Sequence, residues 1–109
     1  MPDSLLAERL CKVTGYSKVF FGNSGAEANE GAIKIARKYG KEVKGDHCNR
    51  IITLENSFHG RTITTFSATG QDIFHQHFFP FTEGFLYVPA NDSYALHETM
   101  DDTVCAVML

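Results

Sequence analysis

The chain predicts an α/β fold, part of a mostly parallel sheet with helices between its strands. Short apolar runs alternate with segments of helical periodicity along all 109 residues. The runs are continuous rather than alternating, as in Arg50-Ile51-Ile52-Thr53-Leu54-Glu55 and Phe85-Leu86-Tyr87-Val88, which suits strands covered on both faces. Polar turns containing glycine follow the first two apolar runs, where open α/β sheets place their ligand sites.

In chain order, Asp3 or Ser4 can cap a helix carrying Leu5, Leu6, Leu10 and Val13 on one side, with Gly15 as its stop. Lys18 to Phe21 reads as a short buried strand. Ser24-Gly25-Ala26-Glu27 has the capping-box spacing, with Ser24 as N-cap. The helix that follows places Ala28, Ala32, Ile35, Ala36, Tyr39 and Val43 at helical spacing and stops near Gly40 or Gly45, with Lys34, Arg37, Lys38, Lys41 and Lys44 on its solvated side. Arg50 to Glu55 is a second strand and Asn56 to Arg61 a polar turn. Thr62 to Ala68 is a short helix ended by Gly70. Gln71 to Gly84 is irregular and aromatic. Phe85 to Val88 is a third strand closed by Pro89. Ser93 to Met100 is a helix capped by Asp92, and Thr103 to Leu109 is a fourth strand. A core strand at Val107-Met108-Leu109, with nothing after it, reads as a piece of a larger α/β protein and predicts incompletely covered apolar surface.

Bulk properties exclude several classes. The net charge of −3 offers nothing for nucleic acid or an anionic membrane. No apolar run approaches the roughly 20 residues that span a bilayer. Met1-Pro2-Asp3-Ser4 lacks the pattern of a signal peptide, so a cytoplasmic location is expected. Cys11, Cys48 and Cys105 are odd in number and widely spaced, which fits neither a disulfide framework nor a metal pair. Cys11 and Cys105 read as buried small hydrophobes. His75 and His77 are close together but have no repeating Cys or carboxylate partners, so no metal is expected.

Two turns carry chemistry. Around Asn23 to Glu27, the N–H groups of Gly25 and Ala26 and the Ser24 hydroxyl can face a phosphate at a helix start. A plain helix cap explains the same residues equally well. Other phosphate-loop patterns fail, because no Gly-Lys-Ser/Thr follows and Gly22-x-x-Gly25 is not G-x-G-x-x-G. In Asn56-Ser57-Phe58-His59-Gly60-Arg61-Thr62, Phe58 can stack on a flat ring and Arg61 can grip a carboxylate with two parallel hydrogen bonds. Taken alone, the plainer reading leads: Phe58 in the core, His59 on the surface, Arg61 in an ion pair.

Together, SGAEANE and, some thirty residues on, ENSFHGRT resemble the class III aminotransferases, pyridoxal-phosphate enzymes of fold type I. The resemblance runs from LLAERL through VFFGNSGAEANEGAIKIARKYG to VCAVML and is strongest to acetylornithine aminotransferases, with ornithine and 4-aminobutyrate aminotransferases as relatives. It implies that residues 1–109 are part of the large, cofactor-binding domain, without a complete second domain. It further implies that Ser24, Gly25 and Ala26 hold the phosphate of pyridoxal 5′-phosphate, that Phe58 stacks on its ring with His59 beside it, and that Arg61 binds the substrate α-carboxylate. Glu27 and Glu30 are expected to cap and brace the helix.

The family also uses an aspartate at the pyridine nitrogen and a Schiff-base lysine. Neither family context occurs here, and Lys34, Lys38 and Lys41 read as solvated helix residues. No catalytic residue is therefore expected in this segment, and the chain alone is expected to be inactive. The resemblance implies small amino acid and 2-oxo acid substrates, a step of arginine biosynthesis and a homodimeric parent. The aromatic stretch Phe74 to Phe81 reads as either an interface or plain core. The alternative function is a non-catalytic α/β module that holds a phosphate ester.

Overall fold

β1 (Arg50–Leu54), β2 (Phe85–Val88) and β3 (Val104–Val107) form a parallel sheet in the order β2-β1-β3, as the continuous apolar runs predict. The computed structural model describes residues 2–109, apart from the Phe74 side chain. Met1 of the amino-terminal pattern and the Phe74 side chain of the aromatic stretch lie outside the described residues. Among the described residues, four α-helices accompany the sheet, α1 (Pro2–Thr14), α2 (Gly25–Lys44), α3 (Ile63–Ala68) and α4 (Ser93–Thr99), with a short 3-10 turn at Asp72–His75.

As the central strand, β1 is covered on both sides, and Ile51, Ile52 and Thr53 are buried. Alternation along the strand divides its side chains between the two faces. Ile52 joins Val88 and Val104 in a cluster completed by Leu54, Leu86, Ala95 and Leu96, which seats α4 on that face. Thr53 faces the other way, and its hydroxyl donates to the Ala68 carbonyl at the end of α3, at 2.8 Å. The helix α2 packs on this second face along β3. A Cβ on Gly40 would stand 2.2 Å from the Cys48 carbonyl oxygen, so only glycine lets α2 approach this closely. Arg50 pairs with Val104 and Ile51 with Ala106, which leaves Cys105 as an extra residue in β3. Its thiol donates to the Arg50 carbonyl at 3.3 Å.

Several expectations are corrected. Residues 18–21 form no strand: Phe20 is 61% exposed, and its ring rests against Gly31 of α2. An apolar run becomes a strand only when a neighbour takes its backbone hydrogen bonds, and no described strand does. The buried face of α2 is not the predicted stripe. Ile33 and Gly40 are buried, whereas Ile35, Tyr39 and Val43 are exposed. The close fit at Gly40 decides which side turns inward. The first helix begins at Pro2, so Asp3 and Ser4 lie within its first turn rather than capping it. Cys48, not Cys11 or Cys105, is the fully buried cysteine, because it lies under Gly40. The remaining elements fall within a residue or two of their predicted bounds. The expected uncovered apolar surface is present on α1, which buries no residue, and on the outer face of α2.

Candidate functional site

The two turns picked out in the sequence meet at the first turn of α2. Ser24 caps this helix, its hydroxyl accepting from the Glu27 N–H at 3.2 Å. The Glu27 carboxylate accepts from the Ser24 hydroxyl at 3.2 Å, so only half of the expected capping box forms. The N–H groups of Gly25 and Ala26 begin the helix and have no acceptor within it. A Cβ on Gly25 would meet nothing within 4 Å, so the approach to these donors is open.

The second turn leaves the carboxyl end of β1 through Asn56, at φ 63. It is held from two directions. The His59 N–H donates to the Thr69 hydroxyl at 3.0 Å, and the His59 carbonyl accepts from the Asn29 side chain at 2.9 Å. Gly60 sits at φ +138 against Ala26 and Thr65. Beyond it, Thr62 caps α3 in a full capping box with Thr65, and the Thr62 hydroxyl also donates to the Glu30 carboxylate.

Between the turns lies an open concavity of about 490 Å³ lined by Gly25, Ala26, Asn29, Phe58, His59, Gly60 and Arg61. It brings together all of the predicted site residues except Ser24, which caps the helix one residue before Gly25. The plainer reading of the second turn is reversed at each residue. Phe58 is 52% exposed, His59 is buried, and Arg61 is exposed with no ion pair among the described residues. Burial lowers the His59 pKa from its ordinary 6.5, which favours a neutral imidazole, and its Nε2 has no hydrogen-bond partner among the described residues. Asn29 is the site residue that sequence reasoning missed. Its position at i+3 from Ala26, on the same helix face, was the available signal.

Charge suits this concavity to an anion. Arg61 is its one charged lining residue, and the positive end of a 20-residue helix opens into it. A nearby concavity of about 350 Å³, at the carboxyl ends of β1 and β2, is lined by Glu55 and Asp72 and would repel the same ligand. No helix among the described residues is long and apolar enough to cross a membrane.

The family model for class-III aminotransferases matches residues 2–109. The acetylornithine aminotransferase of Haemophilus ducreyi is 56% identical over 99% of this chain and 28% of its own length. That of Caldanaerobacter subterraneus subsp. tengcongensis is 55% identical over 95% of this chain and 26% of its own length. A crystal structure of the ornithine aminotransferase from Toxoplasma gondii ME49 superimposes with a TM-score of 0.88 at 37% identity, over 95% of this chain and 25% of that one. A second structure of the Toxoplasma gondii enzyme, with TM-score 0.87 and 35% identity over the same shares, has PLP at partial occupancy in its active site. The chain thus spans about a quarter of the length of these relatives. Motif, fold and family match agree over nearly every residue, and the chain belongs to the class-III aminotransferase family.

Proposed function

We propose that this chain is the segment of a class-III aminotransferase that seats pyridoxal 5′-phosphate. The whole protein would transfer an amino group from N-acetylornithine, or a related ω-amino acid such as ornithine or 4-aminobutyrate, to 2-oxoglutarate. One observation carries the reading: the concavity at the start of α2 is lined together by backbone donors, an aromatic ring and an arginine with no ion pair among the described residues. The acetylornithine donor is supported by the names of the relatives at 56% and 55% identity.

The residues fit the cofactor in kind. The N–H groups of Gly25 and Ala26, with Ser24 beside them, suit a phosphate dianion. Phe58, half-exposed in the wall of the concavity, is the ring that would stack on the cofactor. His59, held neutral by burial, lines the same wall without adding charge. Arg61, exposed and without an ion pair among the described residues, would take a substrate carboxylate in a two-bond grip. The bound cofactor supplies the electron sink for amino-group transfer; these residues bind and orient. No lysine lines the concavity, and Lys38 and Lys41 are exposed partners of Glu42 and Asp46. The 109-residue chain alone is therefore proposed to be inactive, and the whole protein to act as a cytoplasmic homodimer.

The test uses the full-length protein. Pyridoxal phosphate should bind far more tightly than simple nucleotides, and Phe58→Ala should weaken it by about tenfold, the scale of a lost aromatic contact. N-acetylornithine and 2-oxoglutarate should then support transamination. Equal binding of nucleotides, indifferent to Phe58→Ala, would favour a phosphate-ester module without catalysis.

A further inference from the structure

Ala26, Asn29 and Glu30 stand at i, i+3 and i+4 on α2 and share one face of its first two turns. That face meets the second turn three times: Ala26 against Gly60, the Asn29 amide on the His59 carbonyl, and the Glu30 carboxylate under the Thr62 hydroxyl. Of these three, only Asn29 both crosses between the turns through a side-chain hydrogen bond and lines the concavity.

We propose that Asn29 is a positioning residue that sets the spacing between the α2 donors and the Phe58–Arg61 turn, so that one ligand bearing a phosphate and a flat ring spans both. The carbonyl it holds belongs to the His59–Gly60 peptide. Gly60 lies at φ +138, where glycine lacks the steric restraint other residues have. If that peptide turned over, Phe58 and Arg61 on either side would be aimed elsewhere. Thr69 holds the N–H of His59, and Asn29 holds its carbonyl, so the residue is fixed at both ends. Preorganisation of this kind favours ligands that engage both halves of a site over ligands that engage one. The inference rests on reading the concavity as the cofactor cleft.

The experiment uses the cofactor-free full-length protein, with Asn29→Ala and Asn29→Leu compared with Asn49→Ala. Asn49 makes the same kind of amide-to-carbonyl bond, to Asp46 at 3.1 Å, outside the site. Asn29→Leu keeps about the size of the side chain and removes the donor without placing a charge in the concavity, which guards against a folding defect in the alanine variant. Both Asn29 variants should raise the Kd for pyridoxal phosphate about fivefold, the scale of one lost hydrogen bond. Both should leave the Kd for inorganic phosphate unchanged and speed amide hydrogen exchange across residues 58–61. Asn49→Ala should do none of this. Unchanged pyridoxal phosphate affinity and unchanged exchange would overturn the proposal, as would an equal loss of phosphate affinity or an equal effect of Asn49→Ala. If the unsubstituted protein binds no pyridoxal phosphate but the Asn29 variants still loosen residues 58–61, the cofactor reading fails and the positioning role stands.

Discussion

Gly60 lies directly against Ala26: a Cβ added to Gly60 would stand 2.7 Å from the Ala26 Cβ and 2.6 Å from the Thr65 hydroxyl oxygen. This contact joins two segments more than thirty residues apart in sequence into one concavity. Gly60→Ala should cost about 1–3 kcal/mol, because the new methyl must displace packed atoms and the backbone at φ +138 resists any side chain. Cofactor affinity should fall with it. A thermal melt and a pyridoxal phosphate titration on the same variant check both, and an unchanged melting temperature would show that the two turns are not tightly packed.

Arg61→Lys separates binding from folding. Arg61 is exposed and makes no ion pair among the described residues, so the substitution should change stability by no more than about 0.5 kcal/mol. The KM for 2-oxoglutarate should rise by about tenfold, because an ammonium cannot copy the parallel hydrogen bonds of a guanidinium. Steady-state kinetics that gave the same KM for both proteins would remove Arg61 from the carboxylate grip.

His59 makes stability depend on pH with a defined sign. Burial places its folded pKa below the ordinary 6.5, so the unfolded chain takes up the proton more readily. The contribution is complete above pH 6.5 and is lost as the pH falls from there through the lower folded value. Urea midpoints measured downward from neutral pH should decline over this range, and His59→Gln should flatten the decline. A profile identical to the parent's would mean that the imidazole is already solvated.

Gly40→Ala sets helix propensity against packing. Alanine in a helix interior normally gains about 1 kcal/mol over glycine. Here its Cβ would stand 2.2 Å from the Cys48 carbonyl oxygen and 2.7 Å from the Cys105 Cβ, so the steric cost should win and the protein should be destabilised. A gain in the chemical-denaturation midpoint would contradict that contact.

Elements whose cause is local were legible in the sequence. The strands Arg50–Leu54 and Phe85–Val88 follow from continuous apolar runs, α4 from Asp92, which accepts from the Ala95 N–H at 2.9 Å, and the end of α2 from Gly45 at φ 110. What depends on distant partners was not. Lys18 to Phe21 has strand composition but no neighbour to pair with among the described residues, and Phe20 covers Gly31 instead. The inward face of α2 is chosen by Gly40 against Cys48, a contact invisible to a periodicity that counts apolar side chains. In the site, residue type marked where the two turns lie, but the exposure of Phe58 and Arg61, the burial of His59 and the crossing of Asn29 arise only when the turns meet.

The fit of Gly40 against Cys48 also gives α2 a mechanical character. The helix is clamped near its start by Gly60 on Ala26 and again fourteen residues later by the floor of the sheet, about 21 Å away at 1.5 Å per residue. A rod held at two such points can neither tilt nor slide at one end without straining the other. The aim of the Gly25 and Ala26 donors is thus referenced to the sheet itself, and a change at the far bearing should be felt as misalignment at the mouth.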